Sequence, residues 1–270
     1  MNNHDIPSNE QGVSESIGFM LIFSIVIAGI ALVTLYGYPL LLQQQVGADE
    51  KIMEKNMIVL QNDIKSLAYK TVPFKETSLK IGGGALTVYN SSYIPASSTI
   101  IIYNSTTPLP AAYVDKFTSG ELRYESVSAL TDISLQNGAV VMRPRIQPGS
   151  TMLAEPRWFY DGPTNTMVIN LINITSTNIM AKEGIGTVRM KLVGAEYHSY
   201  PEPVGTSLYV EYTPDTLKDY SVAWDNYFTK TLNMPPPNIV GSKRTYTLPT
   251  DTNRPVTLVI KKFEVEIQSI

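Results

Sequence analysis

The chain contains no cysteine, two histidines and, before Lys51, no lysine or arginine. The absence of cysteine removes disulfides, thiol nucleophiles and thiolate metal sites, and leaves the redox compartment open. With histidine confined to His4 and His198, most imidazole-based metal and triad chemistry goes as well. His198, in Glu196-Tyr-His-Ser-Tyr200, has no second His or Cys nearby and reads as a loop histidine. Lysine and arginine form no run, and the net charge of −3 argues against a nucleic-acid partner, which would need clustered cations. There is no Gly-Lys-Ser/Thr phosphate loop and no Gly-x-Ser-x-Gly elbow, and Gly184-Ile-Gly186 lacks a third glycine. Asp132 and Asp161-Gly162 are too isolated to make a calcium loop. No residue is therefore assigned to catalysis, metal or cofactor, and the expectation is a non-enzyme.

What is present begins with one long apolar run. From Ile17 to Leu42 no residue is charged, and as a helix this segment would span ~39 Å, enough for a hydrocarbon core of ~30 Å. A secretory signal is shorter and carries a basic flank. After Gln43-Gln44-Gln45 the helical period continues but becomes amphipathic: Ile52, Met53, Met57, Leu60, Ile64 and Leu67 recur at spacings of three and four. Pro73 ends it, and Gly37 with Pro39 should kink or loosen it near the end of the apolar part. An apolar stripe outside a membrane needs cover, from the remainder of the chain or from a neighbouring subunit.

Beyond Pro73 the texture changes to short β-branched and aromatic runs bounded by Gly, Pro, Asn and Ser. The spacing predicts strands at 85–89, 99–103, 132–136, 139–142, 167–172, 187–192, 207–212 and 255–270, with Asn137-Gly138 as a two-residue hairpin turn. Gly82-Gly83-Gly84 reads as a turn or bulge. In the last run, Val256, Leu258 and Ile260 share one parity and Phe263, Val265 and Ile267 the other, which predicts a bulge at Lys261-Lys262. Residues 217–228 are predicted as a short helix capped by Asp215, with Trp224 and Phe228 facing the sheet. The expected fold class is α+β: a hydrophobic-to-amphipathic helix followed by an all-β, antiparallel, sandwich-like head.

The leading residues carry a resemblance. Gly12-Val-Ser-Glu-Ser-Ile-Gly18, running straight into the apolar helix, resembles the N-terminus of archaeal type IV pilin-like proteins. So do Gly120-Glu-Leu-Arg-Tyr124, Asn137-Gly-Ala-Val-Val-Met142, Met152-Leu-Ala-Glu-Pro-Arg157, Gly186-Thr-Val-Arg189 and Trp224-Asp-Asn-Tyr-Phe228, which are similar to an uncharacterised group of these proteins. Together they cover most of residues 10–230. The resemblance implies that a prepilin peptidase cuts between Gly12 and Val13, so that residues 1–12 are a leader, 13–72 a membrane or filament-core helix with an amphipathic stalk, and 73–270 an extracellular head. The sequence departs from the pattern at Asn9-Glu-Gln-Gly12, where such leaders carry Lys or Arg.

From these features follow the expected sites and partners. Glu15 would either offset the new α-amino group of Val13 or sit at the helix start, where an acidic residue suits the macrodipole. Ser24, Ala28 and Gly29 provide small residues for close helix packing. Asn90, Asn104 and Asn173 each open an Asn-x-Ser/Thr sequon for glycosylation of an exported face. The partners are membrane lipid, other pilin-like subunits and the peptidase, at the cell membrane or in a surface filament. The alternative expectation is a single-pass surface protein whose head binds a partner and never polymerises.

Overall fold

The computed structural model describes residues 10–70, 72–91, 98–105 and 112–270, with side chains from Glu15 onward. The chain divides into two compact units, Met1–Ala48 and Asp49–Ile270, and the boundary falls inside a helix. The amphipathic segment from Asp49 onward therefore belongs to the second unit. Helix α1 (Glu10–Leu32) passes through a π-helical turn, Val33–Gly37, into α2 (Tyr38–Tyr69). In that turn the Tyr38 N–H reaches back to the Val33 carbonyl. This wider turn accommodates Pro39, which lacks an N–H and whose ring would otherwise press on the carbonyl four residues earlier.

In the second unit the strands are β1 (Phe74–Tyr89), β2 (Thr99–Asn104), β3 (Ala112–Thr118), β4 (Glu121–Ser126), β5 (Thr131–Gln136), β6 (Ala139–Pro144) and β7 (Thr151–Ala154). There follow β8 (Phe159–Asp161), β9 (Thr166–Thr175), β10 (Met180–Glu202), β11 (Leu208–Thr213), β12 (Asn238–Val240), β13 (Lys243–Thr247) and β14 (Val256–Ser269). Nine form one sheet in the order β7-β6-β5-β4-β1-β10-β14-β9-β8, and five form a second, β12-β13-β11-β2-β3. The fold is α+β and the sheets are predominantly antiparallel, with β14 and β9 paired in parallel.

Each face of the nine-stranded sheet carries a layer over part of its area. One face packs on the five-stranded sheet, burying Met167, Ile169 and Leu171 with Ile100, Ile102, Val210 and Tyr212. The other packs on α2, burying Met53, Met57, Leu60, Ile64 and Leu67 with Leu86, Val88, Leu122 and Ile133. At ~1.5–3 kcal/mol for each fully buried aliphatic side chain, the helical stripe is a principal contributor to the second core. Gln61, buried within that stripe, donates from Nε2 to the carbonyls of Gly138 (2.7 Å) and Glu155 (2.9 Å), so the helix is held in register by polar bonds too.

This arrangement explains the parity change in the last strand. Val256, Leu258 and Ile260 point into the inter-sheet core, whereas Phe263, Val265 and Ile267 point into the helix-side core. No bulge lies at Lys261-Lys262; the register with β9 runs unbroken from Thr257 to Glu266, and the irregularities against β10 fall between Arg189 and Met190 and between Leu192 and Gly194. The strand uses its two faces in succession because each half has a different layer to cover.

The Asn137-Gly138 turn forms as expected. Gln136 pairs with Ala139, and both turn residues have positive φ, 45° and 72°. At Gly82-Gly83-Gly84, β1 shifts its register against β10 between Ile81 and Leu86, and from Gly84 onward it also pairs with β4 along its other edge. A Cβ on Gly84 would lie 2.2 Å from the Glu125 carbonyl oxygen, so the close approach of the two strands requires glycine there.

The predicted helix 217–228 is shorter and later. Helix α3 spans Ser221–Asn226 and continues as a π-helical segment, Tyr227–Thr231. Asp215 does not cap it; its Oδ1 accepts from the Leu217 and Lys218 N–H groups, closing a turn upstream of the helix. Trp224 and Phe228 do share the inter-sheet core, with ring centroids 5.5 Å apart. His198 lies on β10 opposite Ile260, not in a loop.

Candidate functional site

The first unit carries the most distinctive surface. Between Ile17 and Leu42 every large apolar side chain is exposed, from 44% at Leu42 to 72% at Tyr36. Every backbone polar group within a continuous helix has a partner along the chain, which is what a hydrocarbon environment demands of a spanning segment. This helix is long and apolar enough to cross a membrane. The second unit is different in kind: it has two hydrophobic cores, and its exposed apolar side chains are scattered rather than continuous.

Glu15 is exposed on α1, and among the described residues no cation lies within ion-pair distance of it. Gly12 and Val13 are on the helical backbone, and their side chains lie outside the described residues. Ser24 donates its hydroxyl to the Met20 carbonyl at 2.7 Å, the back-bond that lets a hydroxyl sit in an apolar helix. Ala28 is exposed, and a Cβ added at Gly29 would meet no atom within 4 Å. The small-residue positions therefore face open space in the single chain.

The sequons differ in placement. Asn90 is half-buried, its Nδ2 donating to the Ser176 carbonyl at 3.1 Å. Asn173 is half-buried in β9, where its Oδ1 accepts from the Gly120 N–H at 3.1 Å. Asn104 is 3% exposed, and its Nδ2 donates to the Tyr113 hydroxyl and to Glu202. In the folded chain the Asn104 amide is buried and engaged with Tyr113 and Glu202.

A charged network missed by sequence reading fills the space over β4, β5 and β6 on the side of the five-stranded sheet. Asp132, fully buried, accepts from Arg145 Nε at 2.6 Å and Lys218 Nζ at 2.9 Å. Lys218 also donates to Glu125 at 2.8 Å, and Arg123 pairs with Glu121. Burial alone would raise the Glu125 pKa, but the Lys218 hydrogen bond and charge, with Arg123 behind them, outweigh it and hold the carboxyl low. Residues alternating as Glu121, Arg123 and Glu125 read in sequence as a solvated strand face. No sequence signal distinguished that from an internal network.

A protein-family model described as "Family of unknown function (DUF7289)" matches residues 11–267. The chain belongs to this family. No curated protein and no solved structure matches it. The DUF7289 match runs from α1 through β14, so the family's extent takes in the apolar helix together with the β unit.

The DUF7289 chain also buries several tyrosines. Burial pushes the Tyr69 hydroxyl up to about 12, and raises Tyr220, Tyr227 and Tyr246 further, with Asp225 adding to the effect at Tyr246. For a neutral acid raised in the folded state, stability is fully present below the unfolded pKa of about 10 and is lost as pH rises through the folded value. Denaturation midpoints are therefore expected to fall steeply from about pH 10 to pH 12, with the absorbance of these buried tyrosines as tyrosinate appearing together with unfolding. Tyrosinate absorbance that is complete before any unfolding would contradict the burial argument.

Proposed function

We propose that the chain is a structural or minor subunit of an archaeal type IV pilus-like surface filament, inserted by residues 13–42 with Asp49–Ile270 outside, and that adhesion is its use. The observation that carries this reading is the unbroken apolar exposure from Ile17 to Leu42 in a chain whose second unit closes its own cores. Water does not tolerate a surface of that extent, which calls for lipid or sister helices. The leader resemblance at Gly12-Val13 supports retention of the helix after processing, and Gly29 supplies a position where another backbone can approach.

A second reading keeps the anchor and drops the filament. Asp49–Ile270 needs no other chain to bury its apolar stripe, which suits a single-pass surface protein that binds a partner and stays monomeric. Mass spectrometry of the N-terminus from native membranes, followed by shearing of cells, separates the two. The filament reading expects a mature chain beginning at Val13 and recovery in the sheared, sedimentable fraction. It also expects Gly29→Leu to remove the chain from that fraction while leaving it in the membrane. A chain that keeps residues 1–12 and leaves membranes only in detergent sinks the filament and leaves the anchor.

A further inference from the structure

Two connected clefts open at the C-terminal end of α2, against the segment that leads into β8. The larger, of about 680 Å³, is lined by Lys65, Tyr69, Lys70 and Arg157 together with Asn62 and Ser66. The second, of about 310 Å³, shares Tyr69 and Arg157 and adds Phe159, Asn170, Tyr197 and Lys261. Both volumes fall near the ~300–1,000 Å³ typical of small-ligand sites.

Four cations gather at these clefts, whereas many cations elsewhere are ion-paired, as in Lys51–Glu54, Lys75–Asp63, Arg189–Glu76, Lys243–Glu211 and Arg254–Asp251. Among the described residues, Lys65, Lys70, Arg157 and Lys261 have no carboxylate within ion-pair distance. The one carboxylate on the rim, Glu155, accepts from the Thr231 hydroxyl at 2.7 Å. Lys65 is lowered from its ordinary value, first by burial and then by the Arg157 charge, with Glu155 opposing. Burial is the larger cause and the neighbouring guanidinium adds to it, while Lys65 Nζ donates to the Glu155 carbonyl at 3.2 Å.

The walls are aromatic as well as cationic. The Arg157 guanidinium lies 4.9 Å from the Tyr69 ring centroid, and Lys261 Nζ lies 5.8 Å from that of Tyr197. Phe159 and Tyr197 are 45% and 61% exposed, and the buried Tyr69 hydroxyl has no hydrogen-bond partner. Cations without a carboxylate partner select an anion, exposed ring faces select a flat or ring-shaped body, and Asn62 and Ser66 offer hydrogen bonds to hydroxyl groups. We propose that these joined clefts bind an acidic saccharide, its carboxylate or sulfate between Arg157 and the surrounding lysines and its ring against Tyr197 and Phe159. An acyl chain would find no apolar tunnel here, and a plain acidic peptide would not use the exposed rings. The inference does not depend on filament assembly, and its failure would leave that reading in place.

The test is calorimetric titration of the full-length chain in detergent micelles with polyglucuronate oligomers, with dextran and poly-L-glutamate as comparators. Polyglucuronate is expected to bind and to weaken with added salt, and dextran is expected not to bind. Arg157→Gln should weaken polyglucuronate binding about tenfold, the loss of one charge-assisted hydrogen-bonded partner. Tyr197→Ala should weaken it about fivefold without altering any residual poly-L-glutamate binding. Both residues are exposed, and an unchanged thermal midpoint verifies the fold of each variant. No polyglucuronate binding at low salt, binding indifferent to both substitutions, or equal affinity for poly-L-glutamate would each overturn the proposal.

Discussion

Placing lysine at both Ile27 and Ile30 is expected to move the chain out of the membrane fraction. Each lysine at the centre of a spanning helix costs about 2.5–3.5 kcal/mol on insertion-derived scales, against about −0.3 to −0.6 kcal/mol for each Leu, Ile, Phe or Val. Two together offset most of what the segment Ile17–Leu42 contributes. The β unit should not register the change, because no residue before Met53 takes part in either core. Alkaline carbonate extraction and a thermal melt of the same preparation measure both halves of the expectation. A double-lysine chain that stays with the membrane pellet would show that the helix is not what holds it there. A lowered β-unit midpoint would show that the two units are energetically coupled.

Asp132→Ala is expected to be the most damaging single substitution on the inter-sheet side. It would leave Arg145, Lys218 and, at 3.9 Å, Arg143 facing a buried void without their shared carboxylate. Removing one partner from a buried ion group typically costs about 3–5 kcal/mol, because the remaining charges stay desolvated. For a unit of this size that corresponds to a thermal midpoint lowered by roughly 10 °C. Arg254→Gln is the control: its pair with Asp251 is 47% and 37% exposed, and water and salt screen such a pair so that little is lost with it. If the two variants melted alike, the network would be decoration on the fold rather than part of its interior.

The local signals were legible where one residue decides the geometry. Asn137-Gly138 demands positive φ at both positions, and the turn forms there. The helical period from Ile52 to Leu67 implied a stripe in need of cover, and the nine-stranded sheet supplies it. Less legible was anything that depends on which layer lies opposite. The parity change at Lys261-Lys262 is the same in sequence whether a bulge turns the strand or two layers use its faces in turn. The structure shows the second. Helix α3 starts later than its apolar spacing suggested because the Asp215 carboxylate is engaged by Leu217 and Lys218. The cationic cleft joins Lys65 and Lys70 to Arg157 and Lys261 across long sequence separations, and no motif announces it.

By itself, then, the order of residues determined where the chain is apolar enough for lipid, where it is amphipathic, and where it must turn, since each of these follows from side chains within a few positions of one another. Tertiary structure alone decided which strand faces are covered, that Asp132 and its cations lie inside, and that Asn104 is closed to solvent. Those outcomes depend on which distant layer packs over a given residue, and burial is a property of that pairing.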